Sequence, residues 1–390
     1  MHPGKIKLYR DINLQVLFGV TLVSIMGVTA IAPALPEIAN RFEITSLSAA
    51  LLITVFTLPG ILLSPVIGIL ADRIGRKKVL VPSLIIFGIA GTACAITRDF
   101  TLLVVFRFIQ GTGAAALGSL NLTVIGDLFT DRRRISAMGY NSTVLSIGAA
   151  LYPALGGALV MLGWNFPFLL SLLAFPVAAL VLFVLKSPEP RSSGNMGEYL
   201  TSAFSMIRNP QVLLLYFASL ATFALLYGVL MTYFPFLMRS RLDSSPLCIG
   251  LIISSASIAT SAGSWNLAPL TEFFSPVKLI ISGFLLYAVS IFMIHSIESE
   301  LLMVLPVMIY GFANGINIPS IQARIAESAP DQYRGAFMSF NSMVLRLGQT
   351  SGPLVAATAY GLGGTGWVFY TGIIFSMICA FILAVFLRDK

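Results

Sequence analysis

The chain has 390 residues, of which 57% are hydrophobic and only 10% are charged, and its mean hydropathy is +0.91. A water-soluble domain carries about 25% charged residues, so this composition excludes a soluble globular protein and favours a protein that lies in lipid. The formal net charge of +8 raises nucleic-acid binding as a second interpretation, which the positions of the charges decide.

Twelve apolar stretches are long enough to cross a membrane as helices, because a hydrocarbon core of about 30 Å requires about 20 apolar residues. Membrane-spanning strands would need short alternating segments, which the sequence lacks. The first stretch is too long for a cleavable signal and is interpreted as a retained span. The stretches cover residues 12–34, 48–70, 79–97, 101–126, 136–161, 164–185, 211–237, 246–270, 276–296, 300–323, 335–359 and 366–387.

The basic residues predict the orientation of these spans. If the N-terminus is cytoplasmic and twelve spans alternate, most of the 24 Lys and Arg residues fall in cytoplasmic segments. This distribution follows the positive-inside rule and predicts that both termini are cytoplasmic. The charges are dispersed over short loops, which excludes the nucleic-acid interpretation. Short loops without further domains favour the plasma membrane, in particular a bacterial inner membrane.

The chain repeats itself at an interval of two hundred residues. Asn141–Pro153 reads NSTVLSIGAALYP, and Asn341–Pro353 reads NSMVLRLGQTSGP. Six spans separate the copies, so both have the same direction in the membrane. The sequence therefore predicts an all-α integral membrane protein of two pseudo-symmetric six-helix bundles, 1–185 and 211–390, joined by a polar cytoplasmic linker at 186–210. Two such bundles enclose a central cavity and open it to each side in turn, which is typical of transporters.

A loop motif between the second and third stretches carries a family resemblance. Gly68–Leu80 reads GILADRIGRKKVL and resembles the signature loop of the major facilitator superfamily, whose plan of twelve spans in two halves covers the whole chain. The resemblance implies that Asp72 meets the start of the eleventh span and holds the cytoplasmic side shut. Plain positive-inside topology is the alternative interpretation. The candidate gating residues of this loop are Gly68, Asp72, Arg73, Gly75 and Arg76.

A second motif lies in the fourth span, where Arg107, Gln110 and Gly111 resemble the Arg-x-x-Gln-Gly pattern of many proton-coupled members. A charged group in hydrocarbon is costly, so Arg107 and Gln110 are candidates for coupling or substrate binding. Snorkelling of Arg107 to the nearby interface is the alternative. Asp127, at the inner end of the same span, is a further candidate gating residue and is expected to pair with a basic loop residue.

A third motif, Gly148–Leu159, resembles the Gly-Pro-x-x-Gly-Gly pattern that marks the drug:proton antiporter branch, although Tyr152 stands where the family usually has Gly. Proline frees a backbone carbonyl and permits a bend, and glycines allow tight contact between the halves. A simple proline kink is the alternative. The candidate gating residues of the repeated span are Pro153, Gly156, Gly157 and, in the second copy, Pro353.

The deep charges of the spans are positive. Several related multidrug exporters carry an acidic residue where this chain has Thr29, and no carboxylate lies deep in any stretch, since Glu37 is expected to pair with Arg41 near a span end. Arg346 stands near the middle of its span where the first copy has Ser146. These charges predict a cavity that prefers neutral, zwitterionic or anionic amphipathic solutes. In the family, spans one, four, seven and ten face the cavity, which adds Thr29, Tyr227, Tyr233, Tyr310, Asn314 and Asn317 as candidate lining residues.

The resulting prediction is a monomeric major facilitator transporter that exports a small amphipathic solute by alternating access, with protons as the coupling ion. The alternatives are a uniporter or symporter that takes up a metabolite, and a membrane scaffold or receptor that transports nothing. The three cysteines and two histidines are isolated from one another, so no metal or other cofactor is expected. The sequence also shows no catalytic constellation, so an enzyme is not expected.

Overall fold

The structure is a computed structural model. It describes residues 8–186, 209–330 and 334–388, with the backbone alone at positions 64, 65, 68, 69, 72, 131, 132, 334 and 335. Within these ranges the chain is all-helical and contains no strand, as its composition and spacing predict. Almost all of the predicted linker at 186–210 lies outside the described residues.

Twelve long helices in the described ranges match the twelve predicted spans. By length and apolar composition, eleven helical segments could cross a membrane, and the last of them, Ala336–Phe386, contains two helices joined at Gly363 and Gly364. The helices are α1 Ile12–Arg41, α2 Ser46–Ile74, α3 Arg76–Ile96, α4 Phe100–Leu128, α5 Asp131–Val160, α6 Phe166–Phe183, α7 Pro210–Leu242, α8 Pro246–Trp265, α9 Pro276–Ser296, α10 Val304–Ser328, α11 334–362 and α12 365–386. A short helix, Leu267–Phe273, follows α8.

Local sequence signals fix several helix ends. The side chains of Thr45, Asp99 and Ser245 accept hydrogen bonds from the backbone three residues later, which caps the starts of α2, α4 and α8. Proline follows the cap of α8 in the first turn, where its missing N–H costs nothing. Gly364 has a φ of 74°, so the break between α11 and α12 requires a residue without a side chain.

Two helices depart from regular α geometry inside the bundle. In α1 the α-helix ends at Thr29, a 3₁₀ turn covers Ala32–Ala34, and α-helix resumes at Leu35. The prolines at 33 and 36 explain this break, since each lacks a backbone donor. In α7 a π-helix covers Leu226–Tyr233, a local form that occurs mostly at functional sites.

The start of α1, the end of α6, the start of α7 and the end of α12 lie at one end of the bundle. The backbone N–H of Lys186 donates to Asn13 Oδ1 at 2.9 Å, so the end of α6 lies beside the start of α1. The Gln211 side chain donates to the carbonyl of Phe386 and accepts from the backbone of Arg388, each at 2.9 Å. We call this end the terminal face and the opposite end the far face. The positive-inside pattern predicts that the terminal face is cytoplasmic.

The buried hydrophobic side chains form two clusters. One takes its buried members from Leu14 to Leu185, and the other takes them from Val212 to Leu387, with Ala32 as an added member from α1. Each half of the sequence therefore buries its own core. We propose on this basis that 1–185 and 211–390 are the two structural units that sequence analysis predicts, with the seam between them as the moving interface.

Candidate functional site

The halves meet closely where α5 crosses α8. A Cβ added at Gly157 would collide with the backbone of Pro246, and a Cβ added at Gly250 would collide with the backbone of Pro153. The two helices can approach to this distance only because both positions are glycine. These contacts lie at the far-face end of α5, so the glycines close the seam on that side.

The proline of α5 also creates a polar link between the halves. Pro153 has no N–H, so the carbonyl of Ala149, four residues earlier, lacks its helical partner. Ser257 Oγ on α8 donates to that carbonyl at 3.0 Å. The carbonyl that sequence analysis expects this proline to free is therefore bound by the other half of the protein.

Hydroxyl groups seal the seam between α2 and α11. Thr350 Oγ1 donates to Thr57 Oγ1 at 2.9 Å, and Thr54 Oγ1 donates to the carbonyl of Thr350 at 3.4 Å. All three threonines are buried. This hydrogen-bonded contact lies one helical turn from Arg346, on its far-face side.

An ion pair joins the halves at the far face itself. Arg239 Nε lies 3.3 Å from Glu37 Oε1, and Arg239 Nη1 lies 2.9 Å from Asp243 Oδ1. The expected pair of Glu37 with Arg41 is therefore wrong, because the end of α7 brings a better-placed cation from the other half. The sequence gives no local signal for a partner so distant along the chain. These contacts between the halves lie between the middle of the helices and the far face.

Arg346 occupies the middle of this seam. It lies on α11, and its side chain crosses to the bare backbone of Gly60 on α2, where an added Cβ would lie 2.8 Å from Cδ and 3.1 Å from Cζ. A Cβ added at Gly118 on α4 would lie 3.6 Å from Nη2 of Arg346. The guanidinium of the second half is thus placed against two helices of the first.

Arg346 is half-buried and has few polar neighbours. No described carboxylate oxygen lies within 4.0 Å of it, and no described group forms a hydrogen bond with its side chain. Tyr227, in the π-helix of α7, is near enough for electrostatic interaction with it, and its ring packs against the core of the first half. The structure therefore brings two of the predicted binding residues, Arg346 and Tyr227, together at the seam.

Arg107 has a different environment, in the interior of the first half. Its side chain is fully buried, Nε donates to the carbonyl of Leu52 at 3.0 Å, and Nη1 donates to Gln110 Oε1 at 2.7 Å. The guanidinium lies 4.1 Å from the centroid of the Phe56 ring. Gln110 in turn donates to Ser171 Oγ at 2.9 Å. The side chain therefore does not snorkel to the interface, and its partners tie α4 to α2 and α6.

Asn314 and Asn317 belong to a hydrogen-bonded network inside the second half, and Tyr310 packs beside it with no described hydrogen-bond partner for its hydroxyl. Tyr287 OH donates to Asn314 Oδ1 at 2.6 Å, and Asn317 Nδ2 donates to Thr222 Oγ1 at 3.1 Å. The ring of Tyr310 lies 4.7 Å from that of Tyr287, centroid to centroid. Tyr310, Asn314 and Asn317 are all buried. No described hydrogen bond or ion pair connects this network to Arg346.

The first half has a matching network that sequence analysis missed. Asn121 Nδ2 donates to Thr21 Oγ1 at 2.5 Å, and Thr21 Oγ1 donates to Asn141 Oδ1 at 2.6 Å. These buried side chains join α1, α4 and α5. Threonine and asparagine thus hold the interior helices together in each half, and the polar signal in the sequence was in both cases the buried amide.

The predicted residues Tyr233 and Thr29 also lie within the bundle, where the hydroxyl of Tyr233 is buried without a described hydrogen-bond partner. Tyr233 is fully buried, and its ring lies 5.5 Å from that of Tyr360 on α11. Thr29 Oγ1 donates to the carbonyl of Ile25, one turn earlier in its own helix, at 2.9 Å. Neither side chain forms a described hydrogen bond with Arg346.

Comparison with known proteins decides the family. The family model described as "Major Facilitator Superfamily" matches residues 17–247 and 228–390, which together cover nearly all of the chain. The chain belongs to the Major Facilitator Superfamily. It is therefore a multi-pass integral membrane transporter of small molecules and not an enzyme, as the sequence motifs predict.

Relatives of this Major Facilitator protein include a bacterial exporter and a bacterial resistance protein. The chain is 26% identical over 390 residues to the bacillibactin exporter of Bacillus subtilis, covering 97% of this chain and 96% of the relative. It is 24% identical over 365 residues to the quinolone resistance protein NorA of Staphylococcus aureus, covering 89% and 90%. The solved structure of a variant of the nucleoside transporter NupG is 14% identical, with a TM-score of 0.82 and coverage of 97% and 100%. That structural likeness supports the fold.

The signature loop of this superfamily member is described in part. Gly75 has a φ of 105° and ends α2, which only glycine adopts without strain. Arg76 Nε lies 2.8 Å from Asp127 Oδ2, so Asp127 pairs with a basic loop residue as expected. Arg73 is exposed. The surroundings of Gly68, the side chain of Asp72 and residues 331–333 before α11 lie outside the described residues.

The remaining gating candidates of this superfamily member lie at helix contacts. A Cβ at Gly156 would collide with the carbonyl of Ala30, where α1 breaks. Pro353 lies in α11 beside Gly352, whose backbone packs against Ala224 of α7 within the second half. Among the described residues, no group of three His, Cys, Asp or Glu side chains could hold a metal ion.

Proposed function

We propose that this transporter exports small amphipathic solutes that are anionic, zwitterionic or neutral, by alternating access across the seam between α1–α6 and α7–α12. Arg346 is proposed to bind the negative group of the solute. The observation that carries this proposal is the half-buried guanidinium of Arg346, held mid-membrane between the halves with no described carboxylate within 4.0 Å.

The charge of Arg346 favours anions over cations for a simple electrostatic reason. Two unit charges interact much more strongly in a partly dehydrated site than in water, because the effective dielectric constant is lower there. A lipophilic cation that entered the seam would be repelled by Arg346, since no described carboxylate offsets the charge. A carboxylate or sulfonate would instead accept two parallel hydrogen bonds from the planar guanidinium. Tyr227 can add a neutral hydroxyl beside the same group.

Export is the proposed direction, and the relatives support it. The two bacterial relatives are named as an exporter and as a resistance protein. Uptake by uniport or symport is the alternative, because the same scaffold operates in either direction. We further propose that the chain acts as a monomer in a bacterial inner membrane, with both termini in the cytoplasm.

Protons are the proposed coupling ion, on the strength of the Arg107–Gln110 motif and of the motif around Pro153. Both resemble patterns of the drug:proton antiporter branch. Arg107 is not the proposed proton carrier, because its guanidinium is bound by a carbonyl, an amide oxygen and an aromatic ring.

The decisive experiment is flux in proteoliposomes with an imposed pH gradient. The panel pairs naphthalene-2-sulfonate with naphthalene-2-sulfonamide, and adds carboxylates with their amides and a set of lipophilic cations. The wild-type protein is expected to transport anionic and neutral members and to exclude the cations. Arg346→Gln is expected to lower anion transport by about 10- to 100-fold, the factor that corresponds to a charge-assisted interaction of about 1.5–3 kcal/mol. Arg98→Gln, at an exposed loop arginine, is the matched control.

Each part of the proposal fails on a different result. Tight binding and transport of cations, with anions ignored, would contradict the assignment of Arg346. Flux that is independent of the pH gradient would remove proton coupling but leave the substrate class. Absence of flux of every panel member would favour the scaffold alternative.

A further inference from the structure

The second half has a groove on its surface where the first two turns of α7 pass the end of α12. The cavity has a volume of about 550 Å³, which lies within the range of small-molecule sites. Its walls are mainly apolar and include Leu213, Leu214 and Phe217 of α7 and Val385 and Phe386 of α12. Leu213, Val385 and Phe386 are each about half exposed, so the groove is open to the surroundings of the bundle.

The groove begins at the terminal face and follows α7 inward. From Pro210 to Phe217 the helix rises by about 10 Å, whereas a hydrocarbon core is about 30 Å thick. Closer to mid-membrane the two helices touch, since a Cβ added at Gly372 of α12 would lie 3.2 Å from Cγ2 of Val229 on α7. The gap therefore lies at the depth where a lipid headgroup meets its acyl chains.

Arg388 lies at the terminal end of the groove and is held there through its backbone. Its N–H donates to Gln211 Oε1 on α7 at 2.9 Å, and its carbonyl accepts from Arg324 Nη2 on α10 at 3.1 Å. Gln211 also donates to the carbonyl of Phe386, one of the last carbonyls of α12, which have no partner within their own helix. Two helices thus fix the position of Arg388 at the end of a third.

The side chain of Arg388 has a different environment from its backbone. It is exposed, and among the described residues no group forms a hydrogen bond or an ion pair with it. The carboxylate of Glu327 on α10 already pairs with Arg324 at 3.3 Å. A guanidinium is a planar fork of five donors that matches the oxygens of a phosphate. The groove therefore combines a cation at the terminal face with an apolar wall directly below it.

We propose that this groove binds one anionic phospholipid from the leaflet at the terminal face. Arg388 binds the phosphate, and an acyl chain lies along Leu213, Phe217 and Phe386. Basic pockets between membrane helices bind anionic headgroups on the cytoplasmic side, which is the side that the positive-inside pattern predicts for this face. A phosphatidylglycerol headgroup fits the charge of Arg388 better than phosphatidylcholine, whose own cation would face the arginine. This site is separate from Arg346 and does not depend on the proposed function.

The test counts the lipids that the detergent-solubilised protein retains, by native mass spectrometry. Phosphatidylglycerol and phosphatidylcholine with the same acyl chains are added in equal amounts, and wild type is expected to retain more phosphatidylglycerol. Arg388→Gln should lower this retention about fivefold, the factor that corresponds to about 1 kcal/mol for one basic residue at a membrane surface. Lys186→Gln is the matched control, because Lys186 is exposed at the end of α6 and its N–H is held by Asn13 in the same way. It should retain as much phosphatidylglycerol as wild type.

A second pair of variants tests the apolar wall without changing any charge. Leu213→Trp places a larger side chain in the groove and should lower retention about fivefold or more, as overpacking of about 1–3 kcal/mol implies. Leu213→Met conserves the volume and should retain the lipid. Thermal unfolding checks that each variant is folded. In addition, p-benzoylphenylalanine introduced at position 386 should cross-link to phosphatidylglycerol on irradiation.

Equal retention of the two lipids by wild type overturns the proposal. Unchanged retention in folded Leu213→Trp, or a loss in Lys186→Gln as large as in Arg388→Gln, overturns it as well, because the lipid would then bind elsewhere. A cross-link from position 386 to residues 187–208 of the same chain would show that protein and not lipid fills the groove.

Discussion

Two arginines lie in the hydrocarbon-spanning part of this protein, and their surroundings differ, although neither has a described carboxylate oxygen within 4.0 Å. Arg107 is fully buried among α2, α4 and α6 and is bound by a carbonyl, an amide and an aromatic face. Arg346 is half-buried between the two halves, against glycine backbone and near Tyr227. We therefore propose that Arg107 is structural, since partners in its own half bind it although its Nη2 has no described hydrogen-bond partner, and that Arg346 is left for a ligand.

The largest expected effect is on the free energy of unfolding, which should fall much more when Arg107 is replaced than when Arg346 is replaced. Arg107→Leu removes two charge-assisted hydrogen bonds and leaves the Gln110 oxygen buried without its donor. It should lower the free energy of unfolding by about 3 kcal/mol, the scale of such a loss. Arg346→Leu should lower it by less than about 1 kcal/mol, because no described hydrogen bond is lost. Thermal unfolding of the detergent-solubilised variants measures both losses of stability. Equal losses would show that the two arginines contribute equally to the fold.

A pair of glycines tests the position of Arg346 without changing its charge. Gly60→Ala places a Cβ against the arginine side chain and should displace it, whereas Gly118→Ala places one at ordinary contact distance. Anion binding should weaken about tenfold in Gly60→Ala, as overpacking of about 1–3 kcal/mol implies. Binding of the neutral amide should not change. Equilibrium dialysis compares the two variants, and equal affinities would place Arg346 elsewhere.

The sequence predicted the fold more fully than the site. Twelve helical spans follow from composition, since lipid admits only helices and closed barrels and the sequence lacks the alternating segments of a barrel. The loop motif identifies the family. The tertiary contacts were less accessible. Glu37 pairs with Arg239 across the halves, which no i, i+4 pattern could show. Tyr310 carries the polar signal of a cavity residue but lies in the second-half interior, because the sequence does not tell a cavity wall from a helix contact.

A smaller effect is expected where Ser257 binds the carbonyl freed by Pro153. Ser257→Ala removes a hydrogen bond between the halves, whereas Ser261→Ala removes one within α8. The first should destabilise the far-face seal by about 1 kcal/mol and the second should not. Opening of the far face is measured by the labelling of Thr350→Cys with an impermeant maleimide. The assay uses a background without native cysteines. If Ser261→Ala raises labelling as much, the seal does not depend on this bond.

The smallest effect is expected at the far-face ion pair. Glu37→Gln should favour opening of that face by about 0.2–1 kcal/mol, the usual range for exposed pairs. The charge swap Glu37→Arg with Arg239→Glu should restore closure, although Asp243 will then repel the new carboxylate. The same maleimide assay applies. If Glu37→Gln raises maleimide labelling more than Ser257→Ala does, the Glu37–Arg239 ion pair, and not the α5–α8 contact, holds the far face shut.

The central claim is that Arg346 selects the negative group of the solute. Its most direct test is the affinity of detergent-solubilised protein for naphthalene-2-sulfonate and for its uncharged sulfonamide, measured in wild type, Arg346→Gln and Arg98→Gln. We expect wild type and Arg98→Gln to bind the sulfonate more tightly than the sulfonamide. Arg346→Gln should lose this preference while it still binds the sulfonamide. If Arg346→Gln still binds the sulfonate more tightly than the sulfonamide, Arg346 does not select the negative group.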